Sequence, residues 1–438
     1  MSALKSVRWF RSWSVAAFGC LAGLGVVVLP TAAHAELPAP EPLSIAKVKG
    51  WDISLDGRLS AFASLSWGDP QPPTTALWQG YQDKPDSNNK IMATRIRSGF
   101  VSNVLGWTLH KEVGKDTSVT GRFAIWGNIS QQRDKTIAPD VDLREVYLKI
   151  DGPWGGVLAG RNIGIYGRGG IGLDYDIEHG YGLGSPCMIV NRTSGHGPTA
   201  ACGHVGFGIL FPAFNAQLSY NTPKFAGFQL TAGLFDPAAV SERGYERTPL
   251  PRVEGELTFQ APKYFHAEVS GTWQRIGNND QTLNLTVDSF GVAYSAGLKL
   301  GPVQVGGAGF FGQGLGIWAA MEDYPVFSDQ NFILRRQKGF LGMAALNFGQ
   351  TKIAGGVGET LIARTANDPN PFTQQNFPRS QLGISAGIYQ GVLENVVLAL
   401  DYFRASTTWN DAALDPSMPP FTPKQTVNFV NLGATLVF

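Results

Sequence analysis

The sequence predicts an all-β chain that crosses a membrane as an antiparallel β-barrel of about sixteen strands. Three observations carry this. Apolar and polar residues alternate with period two along most of the chain, no segment holds a convincing helical period, and short and long connections alternate strictly between the segments. A transmembrane barrel needs lipid-facing and lumen-facing residues in turn, with short turns at one end and long loops at the other. A soluble sandwich has no reason to gather its long loops at one end.

The first 35 residues stand apart. Lys5, Arg8 and Arg11 are followed by an apolar run from about Val15 to Leu29 and by Ala33-His34-Ala35. Positive start, apolar centre and small-x-small end predict a cleaved secretory signal peptide over 1–35. Cys20 fits a lipidation motif poorly, with Phe18 before it and a long apolar stretch after it. The signal holds three of the 35 basic residues and none of the 34 acidic ones, which leaves the mature chain at −2. Nothing there suggests a nucleic-acid partner, which needs a concentrated basic face. No run of eighteen apolar residues follows the signal, so no transmembrane helix is expected. Residues 36–50, proline-rich and without strong period, read as a periplasmic lead-in, and the barrel as 51–438.

Strands are expected at 51–66, 91–111, 117–130, 141–150, 156–162, 205–220, 227–236 and 251–260, then at 265–276, 286–300, 303–312, 337–348, 351–363, 380–390, 395–408 and 425–438. In the first, Leu59, Ala61, Ala63 and Leu65 oppose Arg58, Ser60 and Ser64, with Phe62 the exception on the polar face. The last places Val430, Leu432, Ala434, Leu436 and Phe438 on one face and ends on that phenylalanine. Pairing of the last strand with the first would leave no edge unsatisfied in lipid. Trp51, Trp67, Trp107, Trp126, Trp273 and Trp409 fall near strand ends, where aromatic girdles sit.

The insert at 163–204 is the third long connection. It is glycine-rich, carries Asp174, Asp176 and Glu178, and holds both mature cysteines, Cys187 and Cys202. In an oxidising compartment these cysteines are expected to pair, bracing the loop by roughly 3 kcal/mol on the chain-entropy estimate. A metal site using His196, His204 and the thiols has the wrong spacing, and no metal or cofactor is expected.

DGRLSAFASLSWGD, LREVYLKIDGPWGGVLAGRNIG, YNTPKFAGFQLTAGLF and the phenylalanine-ended last strand together resemble the general porins of Gram-negative outer membranes. The resemblance spans nearly the whole mature chain as a pattern. It implies an outer-membrane location, a homotrimer, a water-filled channel, and Phe438 as an assembly signal read by the barrel-assembly machinery. The partners it implies are outer-membrane lipid, lipopolysaccharide and small solutes. It also implies that 163–204 folds into the lumen as a constriction loop. The loop departs from the family in its length, its cysteine pair and the lack of a close proline-glutamate-phenylalanine-glycine match.

Face assignment supplies candidate pore residues. Ile96 and Phe100 put Arg95 and Arg97 in the lumen, Phe123 and Ile125 do so for Arg122, and Leu158, taken to face lipid, does so for Arg161. With Arg58 these form a basic stripe, since an arginine facing lipid at mid-bilayer costs about 2–4 kcal/mol. Asp174, Asp176 and Glu178 on the loop would oppose the stripe and set up a transverse field, unless they lie solvated at the mouth or pair locally with Arg168 or Arg192.

The expected function is a passive diffusion channel for ions and small hydrophilic solutes. The alternative is a sugar- or anion-selective channel that uses Tyr166, Tyr175 and Tyr181 with the arginines as a track. An enzyme is not expected. His266 and Ser270 lie four apart on one strand, roughly 13 Å, too far for a hydrolytic pair. GRGGIG at 167–172 lacks the Lys-Ser/Thr close of a phosphate-binding loop, and no helix is expected after it.

Overall fold

The computed structural model describes residues 42–438 except 71, 73–84, 99–102, 128, 130–140, 175–202, 239–246, 262–263, 278–284, 318, 320, 322–326, 330, 369–376, 412–416 and 418. Eighteen strands follow in chain order. They are β1 (Leu43–Val48), β2 (Trp51–Gly68), β3 (Ile91–Arg97), β4 (Asn103–Glu112), β5 (Ser118–Gly127), β6 (Val141–Gly152), β7 (Gly155–Ile163), β8 (Phe214–Asn221) and β9 (Phe228–Phe235). The second half holds β10 (Arg252–Ala261), β11 (Phe265–Gly277), β12 (Thr286–Leu300), β13 (Val303–Gln313), β14 (Arg336–Phe348), β15 (Thr351–Ile362), β16 (Pro378–Leu393), β17 (Val396–Trp409) and β18 (Lys424–Val437). A short helix, α1 (Arg168–Asp174), stands between β7 and β8.

The count resolves to sixteen. β3 and β4 both pair with β2, Arg97 opposite Phe62 and Val104 opposite Arg58, so they are two parts of one barrel strand. Each later strand pairs antiparallel with the next, and β18 returns to β2 from Val427↔Gly68 to Val437↔Arg58. Phe438 completes the seam by exchanging both backbone hydrogen bonds with Gly57, at 2.6 and 3.0 Å. Closure pairs the first barrel strand with the last, so neither is left as an open edge in the bilayer. No helix among the described residues is long and apolar enough to cross a membrane.

Period two carries through to burial. On β2 Leu59, Leu65 and Trp67 are exposed outward, while Arg58, Ser60, Phe62, Ser64 and Ser66 are buried inward. Phe62, the exception to the polar face, packs in the lumen with Leu173, Leu341, Met343 and Tyr389. Exposed Phe290, Phe311, Phe340 and Trp67 mark the loop-side rim of the outer wall, and Phe265, Phe348 and Tyr264 the turn side. Trp126 and Trp409 do not belong to these girdles: Trp126 donates to Glu145, and Trp409 is fully buried.

Three expectations change. The lead-in contains a strand, β1, which pairs with β2 from Leu43↔Leu55 to Val48↔Trp51. Residues 205–213 are not strand; Val205, Phe207, Ile209 and Leu210 are buried in the returning limb of the long loop. A helix does occupy 168–174, because polar groups of the barrel wall take its unpaired N–H groups, something local periodicity cannot register.

Candidate functional site

The described limbs of the loop between β7 and β8 lie against the inner wall, and the outgoing limb is gripped by acids. Ile165 and Tyr166 donate their backbone N–H groups to Glu254 Oε2 at 2.8 and 3.0 Å. Gly167 N donates to Ser270 Oγ at 2.9 Å and Gly169 N to Glu268 Oε1 at 3.1 Å. Arg168 makes a two-pronged pair with Glu256, both contacts at 2.6 Å. These wall residues lie on β10 and β11, and their inward alternation aims three acceptors at one stretch of backbone and a fourth, Glu256, at the Arg168 side chain. Charge-assisted bonds of this kind are about twice as strong as neutral ones. Tyr166, its hydroxyl pushed well above the usual tyrosine range by burial and then by Glu254, packs with Leu210, Ala293 and Phe310.

The returning limb lies on β14 to β17. Gly208 N donates to Thr360 Oγ1 at 2.9 Å, and the Phe207 ring meets Phe403 edge-on at 5.3 Å. The backbone approaches so closely because Gly358 and Gly383, paired across β15 and β16, present no side chain. A Cβ on Gly358 would strike the Phe207 carbonyl, and one on Gly383 would meet the Phe207 and Phe403 side chains at 2.9 and 2.8 Å. His204 ties the two limbs together. Its Nδ1 lies 3.1 Å from Asp174 Oδ1, its backbone N donates to Asp174 Oδ2 at 3.1 Å, and its Nε2 lies 3.3 Å from Ser385 Oγ on β16.

Ser385, His204 and Asp174 stand in the order of a hydrolytic triad, but all three are buried. A nucleophile at a reacting centre must be reachable; here the same bonds fasten a loop to a wall. Described residues of a second connection, between β13 and β14, pack against the first. Leu315, Met321 and Phe327 share a buried cluster with Tyr166 and Leu210, and Phe211 bridges Ala319.

The opposite wall carries the arginines. Arg95 pairs in register with inward-facing Ser64 and is nevertheless exposed, so its guanidinium stands in the lumen. Arg97 pairs in register with Phe62. Arg58 is buried at the seam beside Val437. Arg122 reaches across β4 to Asp56 at 2.6 Å and also meets Glu145 at 3.3 Å. Gly106 makes that reach possible, since any side chain there would fall on the guanidinium. A bulge opposite Ala124 and Ile125 adds Arg144 to β6. Arg144 lies over both Trp126 and Phe214, at 5.2 and 5.8 Å, and binds Asp142 at 3.0 Å.

Two predicted site residues are placed differently. Leu158 is buried between Lys149 and Ser219 while Ala159 is exposed, so the premise that set Arg161 in the lumen fails. Arg161 shares its register row with outward Val146 and Ala216 and holds Asp142 at 3.3 Å and the Phe214 carbonyl at 3.3 Å. Asp174 does not face the arginines across water; it is fully buried against His204. Asp176, Glu178, Cys187 and Cys202 lie outside the described residues. The sequence reading missed Glu254, Glu256, Glu268 and Ser270 as holders of the loop. Their signal was present: three acids on the inward faces of two adjacent strands, an expensive arrangement unless something accepts them.

The comparisons agree with this architecture. A model of the Gram-negative porin family matches residues 22–377. Among solved structures, the outer membrane channel DcaP of Acinetobacter baumannii is similar with a TM-score of 0.65 at 14% identity, covering 90% of this chain and 100% of that one. An anion-selective porin from Comamonas acidovorans is similar with a TM-score of 0.56 at 13% identity, over 89% and 100%. OmpT of Vibrio cholerae, in a trimer form, is similar with a TM-score of 0.52 at 12% identity, over 89% and 100%. No curated protein sequence matches. With a family match over most of its length and a closed sixteen-stranded wall, the chain belongs to the Gram-negative porin family and forms a passive diffusion channel of the outer membrane.

Proposed function

We propose that this porin conducts small hydrophilic solutes with a preference for anions, through the space between the lining loop and the wall of β3 to β6. The observation that carries this is Arg95, which lies in register with inward-facing Ser64 and is exposed, whereas Arg122, toward the turn end of the same wall, is taken up by Asp56 and Glu145. An exposed guanidinium in a confined aqueous path raises the local anion concentration. The printed description of the Comamonas relative as anion-selective supports the direction. A salt-gradient reversal potential in planar bilayers tests it. Anion preference in the native protein, moved toward cations by Arg95→Glu, is the expected result; a cation-preferring channel indifferent to that change would overturn the reading. Saturable block by one solute class would instead favour the substrate-selective alternative.

The chain is exported by a signal peptide cleaved after Ala35, assembles through Phe438 as a homotrimer among outer-membrane lipid and lipopolysaccharide, and carries a Cys187–Cys202 disulfide. The trimer form of the Vibrio relative supports the oligomer. A non-reduced digest decides the disulfide, since two alkylatable thiols would remove it. The Ser385–His204–Asp174 set is a clamp without hydrolytic turnover, supported by the burial of all three side chains.

A further inference from the structure

The outer wall of β16, β17, β18 and β2 can be mapped as rows from its register. Gln390, Leu398, Ala434 and Ala61 form one row; Ile388, Leu400, Leu432 and Ala63 the next; Ala386, Tyr402, Val430 and Leu65 the third. The fourth, one step nearer the long loops, is Ile384, Arg404, Asn428 and Trp67. Beyond it come Ser406 with Thr426, their hydroxyls 3.2 Å apart, and then Thr408 with Lys424. The wall therefore turns from apolar to polar between Tyr402 and Arg404. That step, with an aromatic on one side and an exposed aromatic in the next row, is where hydrocarbon gives way to headgroups.

Arg404 faces out. Its chain neighbours Phe403 and Ala405 are buried inward, and Leu398 and Leu400 on its own face are exposed. It is itself exposed, and no carboxylate among the described residues pairs with it. Arg275, elsewhere on the outer wall, is matched by Asp288 at 2.9 Å. An arginine at the edge of the hydrocarbon reaches the headgroups with its long side chain and gains there from an anionic partner. The groups beside it are neutral: Tyr402 donates to Asn428 Oδ1 at 2.7 Å, and the Ser406–Thr426 hydroxyls lie one row beyond. Lys424 stands four residues along the wall, about 13 Å away at the strand rise, and is exposed.

We propose that Arg404 takes a phosphate of an outer-leaflet lipid, with Lys424 in reach of a second anionic group of the same headgroup. The guanidinium fork matches two phosphate oxygens, and the hydroxyl pair beyond it can donate to a third. The proposal rests on the reading of this chain as an outer-membrane porin, which planar-bilayer conductance reports independently. The test is native mass spectrometry of the full-length protein released from detergent, loaded with diphosphorylated lipid A or with its dephosphorylated form. The native protein should retain the phosphorylated lipid, and Arg404→Gln should bind it at least about tenfold more weakly, with conductance and heat-modifiability unchanged. The dephosphorylated lipid should not distinguish the two proteins. Equal retention of phosphorylated lipid by both overturns the proposal, as does equal retention of the two lipids by the native protein. So does a shift in oligomeric state in Arg404→Gln, which would make this row a contact between copies of the chain. If Arg404→Gln fails to fold, Arg404→Lys keeps the charge without the fork and should still weaken retention several-fold; native-like retention there overturns the site.

Discussion

The two sides of the lumen are built on opposite terms. Along β10 to β17 a loop covers the inward residues: Ala293, Ala308, Ala354 and Gly358 receive it, while Glu254, Glu256 and Ser385 hold it. Along β3 to β6 the inward residues include long charged ones, and Arg95, Arg122 and Glu145 keep contact with solvent or with each other. The difference teaches that the wall itself decides where the pore runs. A loop settles where N–H groups find carboxylates and backbone finds glycine; ions pass where side chains keep their water.

Removing the grip should have the largest effect. Glu256→Leu leaves the Arg168 guanidinium without its two bonds, and Arg168 retains partial contact with solvent, so the loss is about 2–3 kcal/mol, below that of a fully buried pair. The outgoing limb should leave the wall, and single-channel conductance should rise with added open-channel noise. An unchanged conductance in properly folded protein would show that this pair does not hold the loop. Gly358→Val comes next. Its side chain would meet the carbonyl of Phe207 and that of Phe340, the latter at 3.1 Å, at a cost of about 1–3 kcal/mol for overpacking. It should free the returning limb and raise conductance less than Glu256→Leu. A larger rise would reverse the ranking of the two limbs.

A third pair of variants sets one side against the other directly. Arg95→Glu reverses a charge in contact with lumen water, whereas Asp174→Asn removes one that is buried beside His204. The first should move the reversal potential; the second should leave it within error while lowering the unfolding midpoint, at a cost of about 1 kcal/mol. A reversal potential that follows Asp174 would restore the transverse field and refute the clamp.

Most of the wall was legible in the sequence, and for a physical reason. Lipid on one face and water on the other impose period two on every strand, so the boundaries of β12 at 286–300 and β15 near 351–362 could be read locally. What failed was whatever depended on a distant partner. β1 has little alternation of its own and exists because β2 extends beyond the end of β18 and offers an edge. Residues 205–213 carry a strand-like apolar pattern, but that pattern packs against the wall and its glycines. Arg161 was misplaced because Leu158, an apolar residue taken to face lipid, is buried on the inner face, so the count from it starts on the wrong side. The acids of β10 and β11 were visible as inward residues, yet nothing local tells an acid that faces water from one that holds a backbone.

The smallest effect concerns how the second loop is kept against the first. Asp329 accepts hydrogen bonds from Thr365 Oγ1 at 2.6 Å, from Asn367 Nδ2 at 2.9 Å, and from the backbone N–H groups of Asn331 and Ile333 at 2.8 and 2.9 Å. Burial alone would push its carboxyl up, but these four donors together outweigh burial and hold it below the usual carboxylate range. A carboxylate whose folded value is depressed stabilises the fold above its unfolded value, about 4, and loses that stabilisation as pH falls through the lower, folded value. Asp329→Asn should therefore lower the unfolding midpoint at pH 7, by about 1 kcal/mol, and the gap between variant and native protein should close as pH falls below about 4. Thermal unfolding in detergent across pH 7 to 3 measures it. A gap that stays constant over that range would mean that the amide keeps the loop as well as the carboxylate does, and that charge plays no part in holding the covered side of the lumen closed.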